Sequence, residues 1–330
     1  MRDAVDDLIW DEAPKEAKAV AVLDAPALVD DALTLTDDVR VFCDDWRDAA
    51  RVDPALLVEH PNDLAGVDLA LARIPKSLAA LDEQAAVVQG AQDVTFVGGA
   101  RIKHLNHTMN QVLNKHFAAV SASLGRAKAR VLRAWGPEGL ESDWPKVRMH
   151  EEFGFAVAAH GGTFGGTKVD LGSRLLMMAM AGGGRVPALE ADDVLDFGCG
   201  NGTLSMRLAK QGLRVSARDV SWSSVAGTAV AAEVNGCEVD ATWGDGLDGY
   251  ADASFDAIVT NPPFHQGVAK DTSDTLRMFD DAARVLRPGG QLWCVFNSHL
   301  PYRKELNVRL GRTQVAAQDP HYTVTVTTRR

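Results

Sequence analysis

The chain has 330 residues, which is enough for two domains that each bury a core. Its 46% hydrophobic and 24% charged residues are ordinary for a globular protein, and no apolar run approaches the ~20 residues that span a bilayer. The acidic N-terminus lacks the apolar core of a signal peptide, and the four cysteines form no CxxC pair. We therefore expect a cytoplasmic, monomeric protein without disulfides, metal or membrane attachment.

The net charge of −11 is concentrated at the start of the chain. Residues 1–70 hold 18 Asp/Glu and 6 Lys/Arg, a balance of −12, whereas residues 71–150 hold 11 basic and 6 acidic residues, a balance of +5. The basic region can contact nucleic-acid phosphates, and the acidic segment is then expected to face away from them. The alternative is that these charges lie on solvated helix faces.

Two alternating patterns of strands and helices are predicted in chain order. They are separated near residues 135–165, where glycine and proline indicate loops and turns. The first half has strand-like segments within residues 67–76 and 94–104. The second half has predicted strands at 193–197, 213–217, 255–260, 291–296 and 322–328, with helices at 204–210, 224–235 and 276–286. This alternation favours doubly wound, mostly parallel sheets.

The first half reads as a degenerate copy of the second. Residues 67–76 parallel residues 255–264, and residues 94–104 parallel residues 292–299. The predicted fold is α/β, with two tandem Rossmann-like folds: a degenerate copy at residues 1–150 and an intact copy at residues 151–330. The alternative is two unrelated α/β domains.

A glycine-rich turn, Asp196-Phe-Gly-Cys-Gly-Asn-Gly202, follows the first predicted strand of the second half and precedes a helix. Gly198, Gly200 and Gly202 permit positive φ angles and a close approach of the backbone to a ligand. The spacing is G-x-G-x-G and not the G-x-G-x-x-G of pyrophosphate binders. The turn is therefore predicted to hold a nucleoside cofactor that lacks phosphate, S-adenosyl-L-methionine.

Acidic residues at the following strand ends extend this predicted site. Asp219 is placed to accept the ribose hydroxyl hydrogens, with a helix cap as the alternative role. Asp245, in a glycine-flanked loop, is predicted to bond the adenine amino group, or serves only as a turn residue. The predicted cofactor-binding residues are Lys168, Asp170, Asp196, Gly198, Gly200, Gly202, Asp219, Asp245 and Asn261.

The stretch Asn261-Pro262-Pro263-Phe264 ends the next predicted strand and is the predicted catalytic set. The Asn261 oxygen and a carbonyl near Pro262 can accept both hydrogens of a planar exocyclic amino group, which frees the nitrogen lone pair for methyl transfer. The prolines fix the direction of those carbonyls, and Phe264 can stack on the base. The alternative is a strand followed by a proline turn with a core phenylalanine.

These residues resemble the ribosomal RNA guanine-N2 methyltransferases with tandem domains, within the class I S-adenosylmethionine-dependent enzymes. The matching parts of the second half are residues 164–170, Gly172-Ser173, the glycine turn and Asn261-Pro-Pro-Phe-His265. The family usually has leucine where Phe197 stands. In the first half, residues 74–84, 98–104 and 123–130 resemble the non-catalytic domain, slightly more like the large-subunit than the small-subunit enzymes.

This resemblance implies methylation of guanine N2 in 16S or 23S rRNA, as free RNA or in a ribosomal subunit. It also implies an N-terminal copy that helps to hold RNA without binding cofactor. The matching RNA-binding positions are Arg73, Lys76, Arg101, Lys103, His104, Lys128 and Arg130, together with His265 beside the catalytic stretch. Three alternatives stay open: adenine-N6 methylation, protein glutamine-N5 methylation, and a non-catalytic RNA-binding assembly factor.

Overall fold

The computed structural model describes residues 2–90, 93–262 and 269–330, with side chains described from residue 275 onward after the second gap. The chain divides into two units, Met1–Pro145 with His160–Gly162, and Lys146–Ala159 with Thr163–Arg330. The functional division at residue 150 stays a prediction. Among the described helices, none is both long and apolar enough to cross a membrane.

The N-terminal unit is built around a six-stranded sheet in the order β2-β1-β3-β4-β6-β5. The first four strands in that order run parallel, and β6 and β5 are antiparallel additions. Its strands are β1 (Val20–Leu23), β2 (Val39–Phe42), β3 (Leu69–Arg73), β4 (Thr95–Arg101), β5 (Phe117–Ala122) and β6 (Ala129–Pro137). Its helices are α1 (Ala4–Glu12), α2 (Val29–Ala32), α3 (Trp46–Ala49), α4 (Leu78–Val88) and α5 (His107–His116).

The C-terminal unit begins with a two-stranded sheet of β7 (Lys146–His150) and β8 (Phe155–Ala159). Its main sheet has seven strands in the order β11-β10-β9-β12-β13-β15-β14. These are β9 (Asp193–Phe197), β10 (Arg214–Asp219), β11 (Val239–Trp243), β12 (Phe255–Thr260), β13 (Leu286–Asn297), β14 (Gly311–Gln318) and β15 (Tyr322–Arg329). The helices are α6 (Leu171–Met180), α7 (Thr203–Ala209), α8 (Trp222–Asn235), α9 (Ala269–Val285) and α10 (Tyr302–Arg309).

The strand orders confirm the predicted tandem fold. With β11 set aside, the C-terminal order β10-β9-β12-β13-β15-β14 repeats the N-terminal order β2-β1-β3-β4-β6-β5, including the antiparallel last pair. The paired segments of the sequence occupy matching places, because 67–76 contains β3 and 255–264 contains β12, while 94–104 contains β4 and 292–299 lies in and after β13.

Helices cover both faces of the C-terminal sheet because its central strands are apolar on both sides. Val194 and Val259 pack with α6 and α7, whereas their neighbours Leu195 and Ile258 pack with α9 and α10. All four side chains are fully buried, each stabilising the fold by roughly 1.5–3 kcal/mol. The parallel strands consequently bring all their carboxyl ends to one edge, where the loops can form a site.

Two sequence predictions need correction. The segment at 135–165, expected to be loops, contains the β7–β8 hairpin, because the glycine signals mark its turn and hide the short buried strand on its far side. The strand predicted at 291–296 begins at Leu286, so that Pro288-Gly289-Gly290 lies within β13. A register shift against β12 between Phe255 and Ala257 accommodates these residues.

Candidate active site

The glycine turn lies at the carboxyl edge of the C-terminal sheet, directly after β9. Gly198, Gly200 and Gly202 have φ angles of 75°, 56° and 76°, in the region that glycine adopts without strain. A Cβ added at Gly198 or Gly200 would have no heavy atom of the described residues within 4 Å, apart from its chain neighbours, so within that part of the chain the backbone faces open space. Gly202 instead packs on α8, where an added Cβ would be 3.2 Å from Thr228. The turn therefore offers an open backbone cradle.

Asp196 lies beneath this turn and is fully buried. Its Oδ2 accepts a hydrogen bond of 2.6 Å from the Ser205 hydroxyl, which joins β9 to α7. Burial raises the pKa of the Asp196 carboxyl to about 7, and the charge of Asp219 adds to the shift. Its predicted contact with the cofactor stays a prediction.

Asp219 stands at the end of β10, next to the glycine turn. Its Oδ2 accepts from the Gly200 amide at 3.1 Å, and its Oδ1 accepts from the Ser221 amide at 2.9 Å. The cap of α8 is the Ser221 side chain, which accepts from the Ser224 amide. Asp219 therefore joins the glycine turn to the start of α8. A carboxylate has about four acceptor positions in all.

Asp245 follows β11 in the loop that borders the same edge. Its Oδ2 accepts from Arg277 on α9 at 3.2 Å, and its side chain is 34% exposed. The Asp245 carboxylate is therefore held in an ion pair, and part of the side chain is still exposed to solvent. Its predicted contact with adenine stays a prediction.

Asn261 has its amide orientation set by two residues near the start of α6. Its Nδ2 donates to both carboxylate oxygens of Asp170 at 3.1 Å and to the Ser173 hydroxyl at 3.0 Å. A carboxylate only accepts hydrogen bonds, so the nitrogen must face Asp170. Among the residues that the structure describes, none donates to Oδ1. The role of this oxygen as an acceptor for a substrate amino group stays a prediction.

Asp170 and Lys168 lie just before α6, and their predicted contacts with the cofactor stay predictions. The Asp170 side chain caps α6 by accepting from the Gly172 and Ser173 amides, in addition to holding Asn261. The Lys168 side chain is exposed, and its carbonyl accepts from Asn201 at 2.9 Å. Sequence reasoning missed Asn201, Ser173 and Ser205, although Asn201 lies within the glycine turn itself.

Part of the predicted catalytic stretch lies outside the described residues. Pro263, Phe264 and His265 belong to that part, and their predicted roles stay predictions. Asn261 and Pro262 are described and half-buried, and Thr260 before them donates to the Phe197 carbonyl at 2.7 Å. This bond joins the end of β12 to the end of β9, so Asn261 and the glycine turn start from adjacent strand ends.

In the N-terminal unit, the predicted RNA-binding residues divide into two groups. Arg73 pairs with Asp3 and Asp6 of the α1 segment at 2.8 and 2.7 Å, and Arg101 contacts Asp3 at 3.4 Å. The acidic helix therefore touches this basic surface, contrary to the expectation that the acidic segment faces away. The physical reason is that α1 packs its apolar face, Val5 and Ile9, against Gly99 of β4.

The other predicted residues form a basic cluster, which we define as Lys76, Lys103, His104 and Lys128. A cavity of about 650 Å³ is lined by Arg101, Ile102, Lys103, His104 and Lys128. Desolvation and the charges of Lys103 and Lys76 lower the pKa of His104, which places these cations close together. Arg130 is also exposed. RNA binding by these residues stays a prediction.

In the part of the N-terminal copy that the structure describes, the turn after β1 differs from the glycine cradle. Asp24 follows β1 with a φ of 52°, and its half-buried side chain accepts from the Asp44 amide at 2.7 Å and from Gln84 at 2.8 Å. Burial and the charge of Asp44 raise the pKa of Asp24 to about 7. Internal hydrogen bonds thus satisfy the strand ends where the C-terminal copy has open backbone.

Comparisons with known proteins match both halves of the chain. The methyltransferase small domain family matches residues 154–326, and the RLMG N-terminal domain family matches residues 49–137. The ribosomal RNA large subunit methyltransferase G of Streptomyces avermitilis is 33% identical over 294 residues, which cover 83% of this chain and 75% of that protein. The protein of the same name from Streptomyces coelicolor is 32% identical over 272 residues, covering 78% and 71%.

A solved structure shares the fold over the whole chain. The 16S rRNA N2 methyltransferase of T. thermophilus, in complex with AdoMet and guanosine, superposes with a TM-score of 0.80 at 22% identity, covering 100% of this chain and 92% of that one. The predicted family resemblance is confirmed. The chain is a methyltransferase and belongs to the methyltransferase small domain family, together with the ribosomal RNA large subunit methyltransferases G.

Proposed function

We propose that this enzyme transfers a methyl group from S-adenosyl-L-methionine to the exocyclic N2 of a guanine in 23S rRNA. The observation that carries the proposal is the fixed amide of Asn261, whose Nδ2 is held by Asp170 and Ser173. The opposite oxygen is thereby presented as an acceptor for an amino hydrogen. The large-subunit assignment rests on the names of the relatives, which the sequence matches over both halves.

The residues at the sheet edge fit the cofactor. Among the described residues, none crowds the backbone at Gly198 and Gly200, which leaves space for a ligand. Asp219 and Asp245 supply carboxylates for the ribose and adenine ends. When bound, the cofactor supplies the methyl group.

The protein's own contribution to the reaction is orientation. A guanine amino nitrogen is a poor nucleophile because its lone pair is delocalised into the ring. By accepting one amino hydrogen, Asn261 Oδ1 favours the tetrahedral form of the nitrogen, and the carbonyl near Pro262 is proposed to accept the second. Positioning of this kind accelerates a reaction without a strong base, since the proton becomes acidic as the nitrogen is alkylated.

The proposal is tested by incubating the protein with radiolabelled S-adenosyl-L-methionine and ribosomal subunits that lack the modification. RNA and protein fractions are separated, digested and resolved as nucleosides or amino acids, with the Asn261→Ala variant as the background. Label in N2-methylguanosine from 23S rRNA is expected. Label in 16S rRNA would overturn the large-subunit assignment, and label in N6-methyladenosine or in methylglutamine would overturn the guanine assignment.

A further inference from the structure

Arg218, the residue before Asp219, connects two walls of the proposed cofactor site. Its main-chain oxygen accepts from the Gly198 amide at 2.8 Å and from the Cys199 amide at 3.3 Å, at the beginning of the glycine turn. Its guanidinium reaches the loop after β11, where Nε donates to the Gly246 carbonyl at 2.6 Å and Nη2 to the Asp245 carbonyl at 3.5 Å. One residue therefore bonds both the turn and the Asp245 loop.

The loop is shaped to receive this guanidinium. A Cβ added at Gly244 would lie 2.3 Å from Arg218 Nη2 and 2.6 Å from Cζ, so a larger residue there would displace the guanidinium. The Arg218 Cζ lies 5.5 Å from the centroid of the Tyr250 ring, and Nη1 donates to the Thr242 hydroxyl at 3.4 Å. Thr242 and Tyr250 are themselves hydrogen-bonded at 3.0 Å. The guanidinium is thus enclosed by the loop on several sides.

We infer that Arg218 is a positioning residue that sets the Asp245 loop against the glycine turn and so determines affinity for the nucleoside part of the cofactor. This inference rests on the proposed function. Arg218 is not assigned any contact with the ligand. It acts through the backbone of Asp245 and Gly246, whereas Arg277 holds the Asp245 carboxylate from α9.

A positioning role differs from a merely structural one in its kinetic signature. If Arg218 were merely a structural cation, its loss would lower the melting temperature and would impair cofactor binding, RNA binding and kcat together. Loss of the loop position should instead raise KM for the cofactor while leaving kcat and KM for RNA nearly unchanged, because Asn261 and its partners Asp170 and Ser173 do not contact Arg218.

The test compares Arg218→Gln and Gly244→Ala with the control Arg214→Gln. Arg214 lies on the same strand, but it is exposed at the opposite end and pairs with Asp193. Calorimetry gives Kd for S-adenosylhomocysteine and for methylthioadenosine, which retains only the nucleoside end, and steady-state kinetics give KM and kcat. Both variants should raise Kd and cofactor KM about tenfold, with equal losses for the two ligands, while kcat, RNA KM and the control stay within twofold.

A double variant sharpens the result. If Gly244→Ala acts by displacing the guanidinium, Arg218→Gln combined with Gly244→Ala should bind no more weakly than Gly244→Ala alone. Unchanged Kd in both single variants, or additive losses in the double variant, would overturn the inference. Failure of the unmodified protein to bind S-adenosylhomocysteine would instead overturn the proposed function, so the two failures are distinguishable.

Discussion

At the scale of single residues, the proposed mechanism depends on one amide held in one orientation. In that mechanism Asn261 can accept from the substrate only because Asp170 and Ser173 occupy its nitrogen. If either partner were lost, the amide could rotate and present its NH2 group to the substrate. Two donors would then face each other, and the amino group would be repelled.

We therefore expect Asn261→Ala to reduce kcat by at least about 100-fold, since a group that acts mainly in the transition state is removed. Asp170→Asn should reduce kcat by about tenfold, because its amide can no longer direct Asn261 unambiguously. Single-turnover methylation and calorimetric binding of S-adenosylhomocysteine measure the two effects. Normal methylation by Asn261→Ala, or loss of cofactor affinity equal to the loss of rate, would contradict this role.

Asp219 is another single residue of the proposed site, and its predicted role is in cofactor binding, not in methyl transfer. Asp219→Ala should weaken cofactor binding at least about tenfold, because it removes the proposed ribose acceptor and the hydrogen bond that holds the Gly200 amide. At saturating cofactor, kcat should recover to near its normal value. Calorimetry with S-adenosylhomocysteine measures the affinity, and an unchanged Kd would exclude the predicted ribose contact.

The buried carboxyl of Asp196 predicts a dependence of stability on pH. Burial raises its pKa to about 7, so the folded protein holds a proton that the unfolded chain releases near pH 4. The protonated Asp196 carboxyl therefore contributes its full stabilisation below about pH 4, and this stabilisation is lost as the pH rises towards 7. The Asp196→Asn variant has no carboxyl to titrate and does not show this loss. The difference between its free energy of unfolding and that of the unmodified protein should therefore rise by about 2 kcal/mol between pH 5 and pH 8.

Asp193, on the same strand, is the control, because its pKa is shifted in the opposite direction. Hydrogen bonding by Arg214 lowers its pKa to about 2, so it is ionised at both pH 5 and pH 8. Asp193→Asn should consequently lower stability by the same amount at both values. Urea unfolding at the two pH values measures both variants, and a pH-independent effect of Asp196→Asn would refute the assignment.

At the scale of elements, the loops after β3 and β4 carry cations where the matching loops of the C-terminal copy carry part of the proposed active site. Lys76 follows β3, as Asn261 follows β12. The acidic helix α1 neutralises the arginines of this surface and leaves the lysines of the basic cluster exposed. The cluster is thus the part of the surface that we expect to contact phosphates.

Charge reversal tests this expectation. Lys103→Glu combined with Lys128→Glu should weaken RNA binding about tenfold and reduce the slope of log affinity against log salt by about 1.4, for two lost contacts with single-stranded phosphates. Arg51→Glu, an exposed cation outside the cluster, is the matched control. Filter binding over a salt series measures both. The expectation fails if RNA affinity is unchanged or if affinity for cofactor falls in parallel.

At the scale of the whole molecule, the chain carries two copies of one fold, and their first strand ends differ in the described residues. The strand ends of the N-terminal copy are closed by Asp24 and its partners, whereas those of the C-terminal copy leave Gly198 and Gly200 open. Hydrogen exchange with and without S-adenosylhomocysteine should therefore show new protection in residues 197–203 and 243–248 and none in residues 24–26 and 42–46. Protection at both sets would mean that the first copy also binds the ligand.

The amino-acid sequence by itself determined the chemistry and the class of fold. The glycine turn and the Asn-Pro-Pro-Phe stretch are local patterns, and the alternation of elements predicts parallel strands whose carboxyl ends share an edge. The tertiary structure alone decided which side chains contact each other. Asp170 holds Asn261 across 91 residues and Asp6 pairs with Arg73 across 67 residues, and only closure of the sheets brings such distant groups together. Local propensities act within a turn or two, so they carry no information about these contacts.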